Sequence, residues 1–143
     1  MKEVVIGIDI GGTYTKYGVA DREGTLYVED TIKTDDYEEI DAFVAALKAH
    51  LDHSIEKYGK ELVIRGIGVG APNGNYYTGS IEYAPNLNWK GVIHFTEILN
   101  KHFQVPSVLT NDANAAALGE MIFGDAKSMR NFLMITLGTG LGS

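Results

Sequence analysis

The spacing of hydrophobic positions changes several times along the chain, and each change marks an element. Val4 to Ile10 reads VVIGIDI, β-branched with apolar residues at both parities. That pattern predicts a strand buried on both faces, central in a sheet. Gly11-Gly12 then turns the chain, Thr13 to Ala20 returns as a second strand, and Asp21 to Gly24 turns into a third, Thr25 to Ile32. Three strands joined by tight turns predict an antiparallel meander. The period then lengthens: Ile40, Phe43, Val44, Leu47, Leu51, Ile55 and Tyr58 recur three and four apart, as one face of an amphipathic helix does. Asp36 and Glu39, three apart, read as a capping-box-like pair at its start, and Gly59 lies just past its end.

Leu62 to Val69 is a further apolar strand, stopping at Ala71-Pro72. Strand, crossover helix and strand imply parallel pairing. From Asn73 to Gly91 the signal is irregular and rich in Asn, Gly and Tyr, with a small hairpin expected around Gly79. His94 to Phe103 reads as a short helix and Val105 to Thr110 as a short strand. Asn111 to Phe123 reads as an Ala-rich helix capped by Gly124, and Asn131 to Leu137 as one more buried strand. The order predicts an α/β fold with an antiparallel edge on a mixed sheet. No repeat, low-complexity tract or linker interrupts it, so 143 residues read as one domain. A strand running into GTGLGS and stopping reads as a chain cut at a functional turn.

Composition adds one anomaly. The chain has 17 glycines, about 12% against a typical level of roughly 7%. Ten fall in three short clusters: Gly7/Gly11/Gly12, Gly66/Gly68/Gly70/Gly74 and Gly138/Gly140/Gly142, the kind of placement that marks close backbone approach. A net charge of −7, with no block of Lys or Arg, argues against nucleic acid as the main partner. The absence of Cys removes disulfides, thiolate zinc sites and a Cys nucleophile, and suits a cytoplasmic protein. No apolar run approaches a membrane span, and no secretory signal opens the chain.

Four segments carry candidate chemistry. In Asp9-Ile10-Gly11-Gly12-Thr13-Tyr14-Thr15-Lys16, a two-glycine hairpin lets backbone N–H groups converge on an anion. Thr13 adds a hydroxyl, Lys16 a positive charge and Asp9 a carboxylate suited to Mg2+ held through water; an ordinary tight hairpin is the plainer alternative. Gly138-Thr139-Gly140 reads as a second phosphate hairpin or as a flexible Gly-rich turn. Neither is a Walker A or Rossmann motif, because neither turn leads into a helix. Asn111-Asp112 stands at a strand-to-helix junction, where both residues are good N-caps and where an ionised Asp112 could equally serve as a base. Asn73-Gly74 and Ala84-Pro85-Asn86-Leu87-Asn88-Trp89, with Tyr76, Tyr77 and Tyr83, have the amides and aromatics of a sugar pocket, and also of a surface loop. His50, His53, His94 and His102 lack the clustering a metal site needs and read as solvated helix residues.

Taken together and in order, IGIDIGGTYTK, IGVGAP, APNLNW, TNDANAAALGE and ITLGTGLGS resemble the ROK family of sugar kinases and sugar-responsive repressors, in the actin-like, ribonuclease H-like ATPase superfamily. The resemblance covers essentially the whole chain. It implies an N-terminal lobe, residues 1–143, with a five-stranded mixed sheet and flanking helices, facing a second lobe absent from this chain. It implies ATP-dependent phosphorylation of a hexose or amino sugar, glucokinase-like, by a full-length homodimer, with negligible activity in the isolated lobe. Gly11, Gly12, Thr13, Lys16, Gly138, Thr139 and Gly140 would hold ATP phosphates, Asp9 would hold Mg2+ through water, and Asp112 would be the base. Asn73, Gly74, Asn86, Asn111 and Asp112 would hold the sugar. A structural zinc would belong to the absent lobe. The rival is a sugar-responsive regulator, or a non-catalytic sugar-binding protein of the family, with relic ATP loops. The resemblance implies a helix-turn-helix before the first strand in the repressor branch, whereas Met1 here is only two residues from that strand, and Thr13, Lys16 and Asp112 are all present, so the kinase is the expected branch. An acetate- or glycerol-type kinase is disfavoured by APNLNW and NDANAAALGE.

Overall fold

The computed structural model describes residues 1–112 and the backbone pairing of residues 136–137 and 141–142. A five-stranded sheet carries the fold. Strands β1 (Lys2–Ile10), β2 (Tyr14–Asp21) and β3 (Leu26–Lys33) form the antiparallel meander, and β4 (Leu62–Ala71) lies parallel to β1. Between β4 and the fifth member of this sheet come a small three-stranded sheet, β5 (Gly74–Asn75), β6 (Ser80–Glu82) and β7 (Val92–Ile93), and then β8 (Ser107–Asn111), parallel to β4. The order β3-β2-β1-β4-β8 puts β1 at the centre, and the C-terminal ends of the parallel strands β1, β4 and β8 share one edge.

Helices α1 (Ile40–Ile55) and α2 (Phe95–Phe103) supply the core. Phe43, Val44, Leu47 and Leu51 of α1 and Phe95 and Leu99 of α2 are buried with Ile6, Ile8, Ile10, Val19, Ile67 and Val69 of the sheet. Burying such side chains contributes about 1.5–3 kcal/mol each, so this seam is the main source of stability. β1 is central but not buried on both faces. Val4, Ile6, Ile8 and Ile10 point into the core, while Val5 is 50% exposed and Gly7 and Asp9 share its open face. The two-parity pattern misled because Gly7 and Asp9 contribute nothing apolar to that second face.

Three other boundaries differ from expectation. The Asp36/Glu39 pair forms no capping box: Glu39 is itself the N-cap and makes no side-chain cap bond, while Asp36 closes a 3-10 turn, Thr34–Asp36. Helix α1 ends at Ile55, and Tyr58 belongs to a following 3-10 turn, from which its hydroxyl donates to the Tyr27 carbonyl at 2.9 Å. Asn111 is the last residue of β8, with Asp112 the first helical residue after it. The helix expected to Phe123 and most of the strand expected over 131–137 lie outside the described residues.

The expected hairpin around Gly79 forms between β5 and β6. Gly79 has φ +66°, and a Cβ there would overlap the Thr96 hydroxyl, so only glycine seats the hairpin on α2. Among the described residues no helix is long and apolar enough to cross a membrane.

Candidate functional site

The C-terminal edge of β1, β4 and β8 gathers the sequence-predicted residues. Asp9, next to last in β1, is in register with Lys16 on β2 and with Gly70 on β4, and Gly70 is in register with Thr110 on β8. With strands about 4.8 Å apart, these neighbours span the sheet from the glycine hairpin to Asp112.

Gly11 and Gly12 connect β1 to β2, and the Gly11 N–H donates to the Tyr14 carbonyl at 3.1 Å. A Cβ on Gly11 would lie 2.6 Å from that same carbonyl oxygen, and one on Gly12 would lie 2.6 Å from the Asn86 carbonyl oxygen. The hairpin therefore touches the Ala84–Trp89 loop main chain to main chain. Thr13 and Lys16 are exposed beside it, available to an anion.

Gly74 makes the matching contact on the other side. A Cβ there would lie 2.5 Å from the Thr110 carbonyl oxygen and 2.8 Å from Leu109 Cδ2, so the Asn73-Gly74 turn rests on the strand that delivers Asn111 and Asp112. Asn73 holds φ +54°, and its Nδ2 donates to the Tyr83 carbonyl at 3.2 Å. Its side-chain amide is thus engaged within the loop.

Asp112 senses Asp9. Asp112 is pushed up to about 6, first by burial and then by the negative charge of Asp9, with its own amide N–H pulling slightly back. Asp9 keeps a solvent-accessible edge, yet the surrounding protein excludes enough water to raise its carboxyl, against the lowering pull of Lys16. The negative charge of Asp9 is thus one of the two causes that raise Asp112. Asp112 Oδ1 is buried and finds no hydrogen-bond partner among the described residues. A half-buried carboxylate with a raised pKa and an unsatisfied oxygen is chemically equipped to accept a proton.

Other expectations fare differently. Trp89 is 4% exposed and packs on Phe43, ring centroids 4.7 Å apart, so it belongs to the core and not to a pocket wall. Tyr76, Tyr77 and Tyr83 are exposed. Residues 136–137 pair antiparallel with 141–142, and the Gly138, Thr139 and Gly140 assignments lie outside the described residues. His50, His53 and His94 are exposed, and His102 is half-buried 4.0 Å from Asp41 Oδ1. Among the described residues no cluster of three or more His, Asp or Glu could hold a metal. A shallow cleft of about 380 Å³ lined by Met1, Lys2, Tyr27, Glu61 and Leu62 lies at the opposite edge of the sheet. Sequence reasoning missed Thr15 and Thr34, whose hydroxyls meet at 2.8 Å in the interior behind the hairpin. Period-two alternation along β2 signals Thr15, while nothing local signals Thr34.

The sequence matches the ROK family over residues 5–143. A glucokinase of Streptomyces coelicolor is 38% identical over 141 residues, covering 97% of this chain and 42% of the glucokinase. A xylose repressor of Caldicellulosiruptor bescii is 30% identical over 141 residues, covering 97% of this chain and 35% of the repressor. Among solved structures, a ROK family glucokinase from Streptomyces griseus in complex with glucose and AMPPNP aligns with TM-score 0.81 and 31% identity, covering 97% of this chain and 43% of that one. The chain thus spans less than half the length of these relatives. The described sheet, with its antiparallel meander and parallel β1, β4 and β8, is the mixed sheet of the actin-like sugar kinases. With a family match that runs almost from end to end, the chain belongs to the ROK family.

Proposed function

We propose that residues 1–143 are the N-terminal lobe of a two-lobed kinase that transfers the γ-phosphoryl group of ATP to a hydroxyl of a hexose or amino sugar. The observation that carries this reading is Asp112: a carboxylate with one buried oxygen that has no partner among the described residues, raised to about 6 by burial and by Asp9. The likeness to a glucokinase bound to glucose and AMPPNP supports the substrate pair and makes glucose the first sugar to test.

In this reading the Gly11-Gly12-Thr13 hairpin and Lys16, with Gly138, Thr139 and Gly140, bind the phosphates through N–H, hydroxyl and ammonium donors. Asn73, Gly74, Asn86 and Asn111 border the sugar. The sugar hydroxyl oxygen forms the new bond to the γ-phosphorus, the bond from that phosphorus to the β–γ bridging oxygen breaks, and the hydroxyl proton passes to Asp112. A dissociative transition state of this kind asks mainly for alignment and charge stabilisation. The donor set fits Mg2+, which keeps several waters and needs only one or two carboxylates besides phosphate oxygens; Asp9 supplies one. Held there by Asp9, the ion would supply positive charge against the negative charge developing on the transferred phosphoryl group. The second lobe would close the cleft, and the lobe alone would show negligible turnover. The reading extends to a cytoplasmic homodimer, its assembly measurable by light scattering.

The xylose repressor likeness favours a second reading, a sugar-responsive regulator. One experiment separates the two: the two-lobed protein is given MgATP and a panel of monosaccharides, and sugar phosphate is quantified. Sugar-dependent product for which Asp112→Asn loses most of kcat, with little change in sugar KM, supports the kinase. Sugar binding without product overturns it.

A further inference from the structure

We propose that Trp89 is a positioning residue, which fixes the spacing between the phosphate hairpin and the sugar-facing loop through the turn at residues 34–37. The inference rests on the kinase reading above and assigns a role to residues outside the candidate site.

The connection is continuous. The Thr34 N–H donates to the Thr13 carbonyl at 2.7 Å, the Tyr37 N–H to the Thr34 carbonyl at 3.3 Å, and Trp89 Nε1–H to the Tyr37 carbonyl at 3.2 Å. The Thr34 and Thr15 hydroxyls meet at 2.8 Å, which ties the turn to β2 directly behind the hairpin. Asn88 Nδ2 adds longer bonds, 3.4 Å each, to the Asp35 and Tyr37 carbonyls. A buried indole N–H needs an acceptor. Tyr37 can supply one because its backbone is extended, φ −115° and ψ 112°, between the 3-10 turn and α1. Phe43 fixes the indole plane at a tilt of 46°.

The Ala84–Trp89 loop is thereby held at two points, both referred to the same hairpin. Asn86 meets Gly12 directly, and Trp89 reaches Thr13 through the turn. In a phosphoryl transfer that depends on in-line alignment, a displacement of about 1 Å between donor and acceptor costs up to about a hundredfold in rate. Loosening the second point lets the sugar hydroxyl drift from the γ-phosphorus while the nucleotide still binds. Water then takes phosphoryl groups meant for sugar, giving ADP and inorganic phosphate.

The test uses the two-lobed protein with Trp89→Phe, which keeps an aromatic ring and removes the N–H donor. Expected are a fall in sugar phosphorylation kcat of about tenfold or more, nucleotide KM within about twofold of the parent, and more than one ADP formed per sugar phosphate. Lost packing alone would lower the yield of folded protein without moving that ratio. Thr34→Val should uncouple in the same way and Thr34→Ser should restore coupling, which covers the case in which Trp89→Phe does not fold. Parent-like kcat with one ADP per sugar phosphate in Trp89→Phe and Thr34→Val overturns the inference. If the parent makes no sugar phosphate at all, the kinase reading fails separately. The strut is then read from amide resonances of the 143-residue chain: Trp89→Phe should shift those of Gly12 and Thr13, and unchanged resonances overturn it.

Discussion

Replacing Asp112 with Asn should stabilise the protein at neutral pH while removing most of kcat for transfer. The carboxyl rises from 3.8 to about 6 in the folded state, with burial first and Asp9 second among the causes. Two pK units correspond to about 3 kcal/mol; because Asp112 is only half-buried, solvent screening reduces the expected effect to about 1–2 kcal/mol. The sign follows from linkage. A raised folded pKa means that the native state holds the proton more tightly than the unfolded chain. Its stabilising contribution is complete below the unfolded value of 3.8, declines as pH rises through about 6, and is absent above. Asn has no such step. The assay is urea denaturation near pH 4 and near pH 8, followed by fluorescence of the single Trp, which is buried against Phe43. The stability of Asp112→Asn minus that of the parent should grow by about 1–2 kcal/mol between the two pH values. A difference that stays flat, or shrinks, would refute the electrostatic account of Asp112.

Two further outcomes follow from the same geometry. In the two-lobed protein, kcat/KM for sugar phosphorylation should fall as pH drops through about 6, because the base must be ionised; a profile flat from about pH 5 to 8 would remove Asp112 from that role. Gly74→Ala would press a methyl group to 2.5 Å from the Thr110 carbonyl and should cost about 1–3 kcal/mol in urea denaturation, whereas parent-like stability would show that the turn is not seated there.

Much of the framework was legible because it depends on local periodicity. The three- and four-residue spacing from Ile40 to Ile55 forms α1, and the glycine turns produce the meander. The crossover through α1 makes β4 parallel to β1. The failures share one physical origin, information held by distant partners. Trp89 looked like a pocket residue because its type suits one, but a residue 52 positions earlier accepts its N–H and Phe43 covers its ring. Asp36 and Glu39 have capping-box spacing, yet the Thr34 N–H bond to Thr13 helps hold the preceding segment in a 3-10 turn and the helix starts one residue after Glu39. In the candidate site, Asp9, Lys16 and Asp112 were identifiable by type. The raised pKa values of the two carboxyls were not, since these come from burial and, for Asp112, also from the charge of Asp9.

The contacts of Gly12 with Asn86 and of Gly74 with Thr110 join the loops of the site through main-chain atoms. A frame of that kind is indifferent to most of the side chains it carries. The exposed side chains of Tyr76 and Tyr77 lie outside those contacts and can change without moving the hairpin or Asp112. Changes in substrate preference and preservation of the reacting geometry can therefore be engineered as separate problems: side chains around the rim are the adjustable set, and the two glycines are the pair to leave untouched.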